Sequence, residues 1–192
     1  MENRESYKML MKHLETYRKL NVDQEKQLRQ LATVKYCAEK EIYLERGGIA
    51  KHLCFIYAGY ALGYEREYEE PKLSRIWQPS HIMLKADSLL AFQRSKMDIV
   101  FPEGGHIIEI PFDYMGQATE LQPFFNYLLW QEVDYYQQQE NLFRRLNSKD
   151  LIDWFHHQYS SVRYKLTDQQ IAQFLGITVR WYNKNKNMIT KV

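Results

Sequence analysis

The sequence predicts an α+β chain: short helices, then a compact antiparallel β-roll, then a long helix leading into a small all-helical C-terminal unit. Three observations carry this. Apolar residues recur at helical spacing before about residue 32 and again after about residue 122. Between them the period changes to short runs rich in β-branched and aromatic residues, punctuated by Gly and Pro, the pattern of a small all-β unit. Finally, 45% of the 192 residues are hydrophobic and 26% are charged, which supports a real core in a soluble globular chain.

Leu10, Leu14 and Tyr17 set the first helix, and Leu28 and Leu31 a second, with Asn21 or Asp23 as its N-cap. From about Val34 come the strand-like segments "EIYLERGG", "HLCFIYAGYALGY", "KLSRIW", "MDIVF" and "HIIEI", separated by Gly47-Gly48, Gly59, Pro71, Pro79 and "PEGG". Regular turn signals between short strands indicate a barrel or roll. Pro123 suits the first turn of a long helix through "FFNYLLWQEVDYYQQQENLFRRL". Its apolar band (Phe125, Leu128, Leu129, Val133, Tyr136, Phe143) is broader than one small domain requires. A core-facing helix fits that band, but a helix shared between two copies fits it better. A further helix, "SKDLIDWFHHQYS", is expected with Ser148 as N-cap.

The end of the chain, "LTDQQIAQFLGITVRWYNKNKN", holds two helix starts. Thr167 and Gln170 form a capping box. Ile171, Phe174 and Leu175 face inward, and Gly176 stands where a left-handed C-cap is needed. Thr178 caps the next helix, which presents Arg180, Asn183, Lys184 and Asn187 on one face. Arg and Asn suit base edges and Lys suits phosphates. On the inward side Tyr182 is bulky and Asn185 is polar, which predicts a short, weakly pinned helix. From Ser161 onward six Lys/Arg stand against one acid, Asp168, leaving +5 there and −3 on the rest of a chain of net charge +2. A tethered nucleic-acid module and a solvated tail both account for that asymmetry.

Other chemistries have little support. Cys37 and Cys54 suit buried thiols better than a disulfide framework or metal site. His156-His157 are adjacent on a helix and point apart, a poor joint metal site. No Ser/His/Asp, Cys/His or paired-carboxylate arrangement marks an enzyme, and no cofactor is expected. The charged start "MENRESYKML" carries no apolar leader, and no run approaches a membrane span. A cytoplasmic protein with no membrane partner is expected.

The order of these segments resembles the Crp/Fnr superfamily of bacterial regulators, in particular divergent members of the Bacteroidetes type. "AEKEIYLERGGIAKHLCFIYAGYALGY" is similar to the first roll strands of that family, and "IAQFLGIT" to its helix-turn-helix core. The resemblance covers nearly the whole chain. It implies N-terminal helices over 1–32 and a cyclic-nucleotide-binding-like roll (a double-stranded β-helix) over 33–112. It further implies linking and dimerisation helices over 113–147 and a DNA-binding helix-turn-helix domain over 148–192. The expected partners are double-stranded DNA and a second copy of the chain. The expected DNA contacts are Thr178, Arg180, Asn183, Lys184, Lys186 and Asn187, with Arg163 and Lys165 on phosphates. The chain ends soon after Asn187, so no wing is expected beyond that helix.

The effector segment departs from the family pattern. Nucleotide-binding members carry a Gly-Glu pair, whose Glu accepts from the ribose, followed by an Arg and a small residue for the phosphate. Here "SHIMLKADSLLAFQRSKMDIVF" has no Gly-Glu. Lys85 and Asp87 stand near that place, and Arg94, Ser95 and Lys96 supply cations and a hydroxyl. The expectation is a degenerate pocket, unresponsive to cyclic AMP, that either holds an unknown small anion or is filled by its own side chains. Iron–sulfur sensing requires more thiolates than two. His52 and His81 are read as structural rather than haem ligands. The rival reading is a protein of the same fold that has lost DNA binding and works through protein–protein or small-ligand contacts.

Overall fold

In the computed structural model, which describes residues 2–67, 70–115 and 118–186, two N-terminal helices lead into the roll. They are α1 (Glu2–Glu15) and α2 (Val22–Leu31). Asn21 caps α2 in a capping box with Gln24, satisfying two of the donors a helix start leaves open. Leu10, Leu14 and Leu28 are buried against the roll, whereas Tyr17 lies beyond α1 and is exposed.

Eight strands follow: β1 (Thr33–Cys37), β2 (Glu41–Leu44), β3 (His52–Gly59), β4 (Ala61–Glu67), β5 (Glu70–Trp77), β6 (Ile82–Met83), β7 (Met97–Phe101) and β8 (Gly105–Pro111). They pair antiparallel as two four-stranded sheets, ordered β1-β8-β3-β6 and β2-β7-β4-β5. The apolar run expected as one strand, "HLCFIYAGYALGY", is divided into β3 and β4. The break falls at Gly59, with φ +82, where an added Cβ would lie 2.5 Å from the Gly104 carbonyl oxygen. Only glycine tolerates both demands. β6 and the short helix α3 (Ala86–Ala91) escaped the periodicity argument because each is too brief to show a period. Between the sheets lie Cys37, Cys54, Ile56, Trp77, Met83, Ile99, Phe101 and Ile107, all buried. Both cysteines are buried free thiols.

A one-turn helix, α4 (Phe112–Met115), leads to the long helix α5 (Gln122–Arg145), with Pro123 in its first turn. The apolar band on α5 divides into three. Phe124, Phe125 and Leu128 are buried against α1, α2 and the roll. Phe143 packs with the C-terminal helices. Trp130, Val133 and Tyr136 are exposed. Leu128 is therefore a core residue of its own chain rather than a seam residue.

Three helices complete the chain: α6 (Ser148–Gln158), α7 (Asp168–Leu175) and α8 (Val179–Asn185). The N-cap of α6 is Asn147, not Ser148. The Asn147 side chain accepts from the amides of Lys149 and Asp150, because an amide oxygen one residue earlier reaches the open donors that Ser148, already helical, cannot.

The C-terminal helices do not stand apart from the roll. Leu151, Ile152, Phe155, Tyr159, Phe174 and Leu175 share one buried cluster with Leu62, Leu73 and Ile76 of β4 and β5 and with Tyr60 just before β4. Phe155, Tyr159 and Phe174 pack in tilted and edge-to-face contacts with ring centroids 5.0–5.6 Å apart. Polar contacts fix the register. Gln170 Nε2 donates to Tyr64 Oη at 2.7 Å, and Gln78 Nε2 donates to the Gln158 carbonyl at 2.9 Å. Because this core is shared, Phe155→Ala should destabilise the whole chain by about 3–5 kcal/mol. Urea unfolding followed by circular dichroism should remain a single transition; a separate early transition would show that the core divides.

Candidate nucleic-acid interface and roll cavity

The α7–α8 pair is built as its residues dictate. Thr167 Oγ1 accepts from the Gln170 amide at 3.2 Å, and Gln170 Oε1 accepts from the Thr167 amide at 2.8 Å. Gly176 ends α7 in the left-handed region, φ +66, with open space around it, so the backbone angle rather than crowding selects glycine. Ala172 is buried in the cluster where the helices pack, and Ile177 closes its edge. Thr178 Oγ1 then accepts from the Trp181 amide at 3.2 Å and starts α8.

Tyr182 is the inward anchor of α8: it is buried, and its hydroxyl lies 3.1 Å from His156 Nε2. Asn185 is also buried, with Nδ2 donating to the Trp181 carbonyl at 2.8 Å. A polar residue at this inward position is thus satisfied within its own helix, and Lys186 adds a tie to Asp168 at 2.5 Å. Thr178, Arg180, Asn183 and Lys184 face solvent. Asn187 lies outside the described residues.

The basic residues divide into two groups. Lys165 pairs with Glu103 of the β7–β8 turn and lies over the Tyr60 ring. Arg163 stacks on Tyr164 with 4.4 Å to the ring centroid and donates to the His156 carbonyl at 3.4 Å. With Lys186 held by Asp168, Arg180 and Lys184 are the cations left facing outward from α8.

Inside the roll is a cavity of about 210 Å³, bounded by Lys35, Tyr43, Lys51, His52, Lys85 and Glu109 among others. Of the five residues expected around an effector, Lys85 alone lines it. Lys85 is mostly buried and pairs with Asp87 at 3.1 Å, and the Asp87 carboxylate also accepts from the Ser88 amide within the first turn of α3. Arg94 is exposed and donates to the Gly47 carbonyl at 2.9 Å. Ser95 is buried, its hydroxyl donating to the Met97 carbonyl at 2.8 Å. Lys96 is exposed. Arg94 and Ser95 thus brace the "ERGG" turn and the start of β7, because the segment after α3 folds outward before re-entering the sheet.

Sequence reasoning missed Tyr43, Glu109 and Lys35. Tyr43 Oη donates to Glu109 Oε1 at 2.8 Å and lies 3.0 Å from Cys54 Sγ. Burial, before any neighbouring charge, drives the Tyr43 and Cys54 groups upward, and pushes Cys37 up to about 12. The Tyr43 hydroxyl and the Cys54 thiol are thus neutral hydrogen-bonding groups. Lys35, Tyr43 and Glu109 stand on β1, β2 and β8, and their convergence required the strand pairing.

No protein-family model matches the chain, and no curated protein does. Solved structures do match it. One is CLP, described as a c-di-GMP-responsive global regulator of Xanthomonas campestris: TM-score 0.65, 10% identity, 88% of this chain and 91% of that one. Another is FixK2 of Bradyrhizobium japonicum, with TM-score 0.65, 12% identity, and 82% and 84% coverage. A third, from Eubacterium rectale and assigned to the Crp/Fnr family of transcriptional regulators, gives 0.63, 16%, and 86% and 81%. A cyclic nucleotide-binding domain containing protein of Listeria monocytogenes gives 0.62, 13%, and 96% and 90%. At these identities the likeness is one of fold: this chain has the roll, long helix and C-terminal helices of those proteins.

Proposed function

We propose that the chain is a homodimeric, DNA-binding transcriptional regulator of the Crp/Fnr type, acting in the cytoplasm, whose roll cavity does not serve cyclic AMP. It would then be a binding protein rather than an enzyme. The observation that carries the reading is the α7–α8 pair. A capped helix, a left-handed glycine and a second capped helix leave Arg180, Asn183 and Lys184 exposed on one short basic face. As a helix-turn-helix it would set the start of α8 in the major groove, and a dimer would address half-sites about one helical turn apart. The fold shared with regulators supports this reading. Among the described residues no helix is long and apolar enough to cross a membrane.

For the dimer, α5 offers its outward stripe. Asn126, Trp130, Val133, Gln137, Glu140 and Arg144 are all exposed and alternate at spacings of four and three, the seam geometry of paired helices. Trp130 is 58% exposed and Val133 48%, and both would be covered by a second copy. Sedimentation equilibrium at micromolar concentration should give a dimer of the 23.3 kDa chain. Trp130→Glu with Val133→Glu should yield folded monomers, since charge in an apolar seam is costly. A monomeric wild type would remove the dimer from the proposal.

The roll cavity has cations in Lys35, Lys51 and Lys85, but its carboxylate, Glu109, already accepts from Tyr43. Without a free carboxylate for the ribose hydroxyls, cyclic AMP loses a charge-assisted acceptor, a penalty of roughly 1.5–3 kcal/mol. Calorimetry should therefore detect no micromolar cyclic AMP binding, and micromolar affinity would overturn this part.

DNA recognition is tested by selection from genomic fragments, followed by affinities at several salt concentrations. Arg180→Ala should cost roughly 1–3 kcal/mol on the selected site and relax specificity there. Lys184→Ala should weaken all sequences alike and lower the salt slope by about one. If no sequence is enriched and binding is weak and equal for all DNA, the regulator reading fails and the same-fold protein–protein role replaces it.

A further inference from the structure

A second cavity, of about 170 Å³, lies outside the roll interior, between β5, β6, α1 and α5. It is lined by His13, Arg75, Trp77, His81, Gln131, Glu132 and Tyr135, with apolar and small residues between them. Two of these charged side chains are almost fully buried: Arg75 is 2% exposed and Glu132 4%. Arg75 Nη2 donates to Glu132 Oε2 at 2.7 Å, and its guanidinium lies over the Tyr135 and Tyr136 rings at 4.1 and 3.7 Å to their centroids.

The pair does not complete itself. Among the described residues Arg75 Nε, Arg75 Nη1, Trp77 Nε1 and Glu132 Oε1 are buried with no hydrogen-bond partner. Such groups in a folded chain call for a specific account, since each forfeits hydration without a replacement. Three of the four are donors, and the one acceptor is a carboxylate oxygen. His81 adds to the donor side: its Nδ1 accepts from the Gln78 amide at 3.4 Å, so its Nε2 carries the proton. His13 Nε2 is engaged with Gln131 Oε1 at 3.1 Å. The cavity is below the roughly 300–1,000 Å³ of a drug-sized site, which suits a ligand of a few carbon atoms.

We propose that this cavity binds a short-chain organic acid together with one proton, the ligand carboxyl accepting from Arg75 and sharing the proton with Glu132 Oε1. The stoichiometry balances charge. When Glu132 is ionised it and Arg75 neutralise each other, so a carboxylate entering without a proton on Glu132 would leave a buried negative charge. Taken up with a proton from solvent, it adds none. The ligand brings two acceptors and one hydrogen, which meets an excess of donors around a single open acceptor. An adjacent apolar wall, Ile76 and Ile82, suits a short alkyl tail.

The charged and titratable groups around Glu132 leave it as the one that changes near neutrality. Burial lifts its carboxyl to about 7, in spite of Arg75 and of Lys85 beside β6. Burial first, with Arg75 and His13, holds His81 down at about 4, and burial lowers His13 on α1. Burial raises Tyr135 and Tyr136 on α5.

Isothermal titration calorimetry of the full chain with propionate tests the site, with propionamide as the neutral comparison. Propionate should bind saturably at pH 6 and about tenfold more weakly at pH 8, because the Glu132 proton that binding requires is in place at pH 6 and mostly lost by pH 8 for a group at about 7. Glu132→Gln should still bind propionate, now equally at both pH values, since its amide donates without taking up a proton. Arg75→Met alone would strand a buried carboxylate, so the fold-preserving variant is Arg75→Met with Glu132→Met, as buried ion pairs tolerate apolar replacement. With its thermal unfolding intact, that double variant should bind no propionate. Absence of saturable binding by the wild type at about 10 mM, a weak-fragment range, overturns the proposal. So does propionate binding that is independent of pH in the wild type or survives in the double variant, or a preference for propionamide over propionate at pH 6.

Discussion

The buried Arg75–Glu132 contact governs how the pieces of this chain sit together. It joins β5 of the roll to the middle of α5, and both partners are almost wholly removed from water. An ion pair in such a place contributes little net stability, because desolvation offsets attraction, but losing one partner costs about 3–5 kcal/mol. The pair therefore acts as a constraint on geometry more than as a source of cohesion. α5 cannot slide or rotate on the roll without leaving a charge unmatched.

That constraint extends to the C-terminal helices. The neighbour of Glu132 by three residues, Tyr135, lies under the Arg75 guanidinium and hydrogen-bonds through its hydroxyl to Tyr159 at the end of α6. Tyr159 is part of the aromatic core with Phe155 and Phe174. β5 thus contributes Arg75 to α5 and Leu73 and Ile76 to the C-terminal cluster. The orientation of α8 is tied to the roll through side chains rather than through the connecting backbone alone. A change at Arg75, Glu132 or Tyr135 would be felt where α6 and α7 rest on β5, and so at the basic face of α8.

The docking also redistributes charge. Lys165 is drawn to Glu103 of the roll and Lys186 to Asp168 of α7. A basic end that sums to +5 in sequence therefore presents a narrower set of outward cations, centred on Arg180 and Lys184. Partly exposed pairs of this kind are weak, on the order of 0–1 kcal/mol, so a polyanion can compete for both lysines. The roll interior is the opposite case: its carboxylate Glu109 is already held by Tyr43, and Lys35 and Lys85 pair with Glu41 and Asp87.

The elements themselves were legible in the sequence, because their signals are local. The capping box at Thr167, the left-handed Gly176, the cap at Thr178 and the long helix opened by Pro123 each rest on residues a few positions apart. The apolar period identified Leu10, Leu14, Phe125 and Phe174 as inward. What remained hidden depends on partners distant in the chain. A polar Asn185 reads as a defect until its bond to the Trp181 carbonyl is seen, and Arg94 reads as a pocket cation until its segment turns outward to Gly47. Leu128 and Trp130 stand two residues apart on one apolar helix, yet one is core and the other exposed. The sequence by itself determined the longer helices, most of the strands and the caps at Thr167, Gly176 and Thr178. Tertiary structure alone decided which polar groups are buried together: Arg75 meets Glu132 57 positions away, and periodicity holds no record of where a strand and a helix will cross.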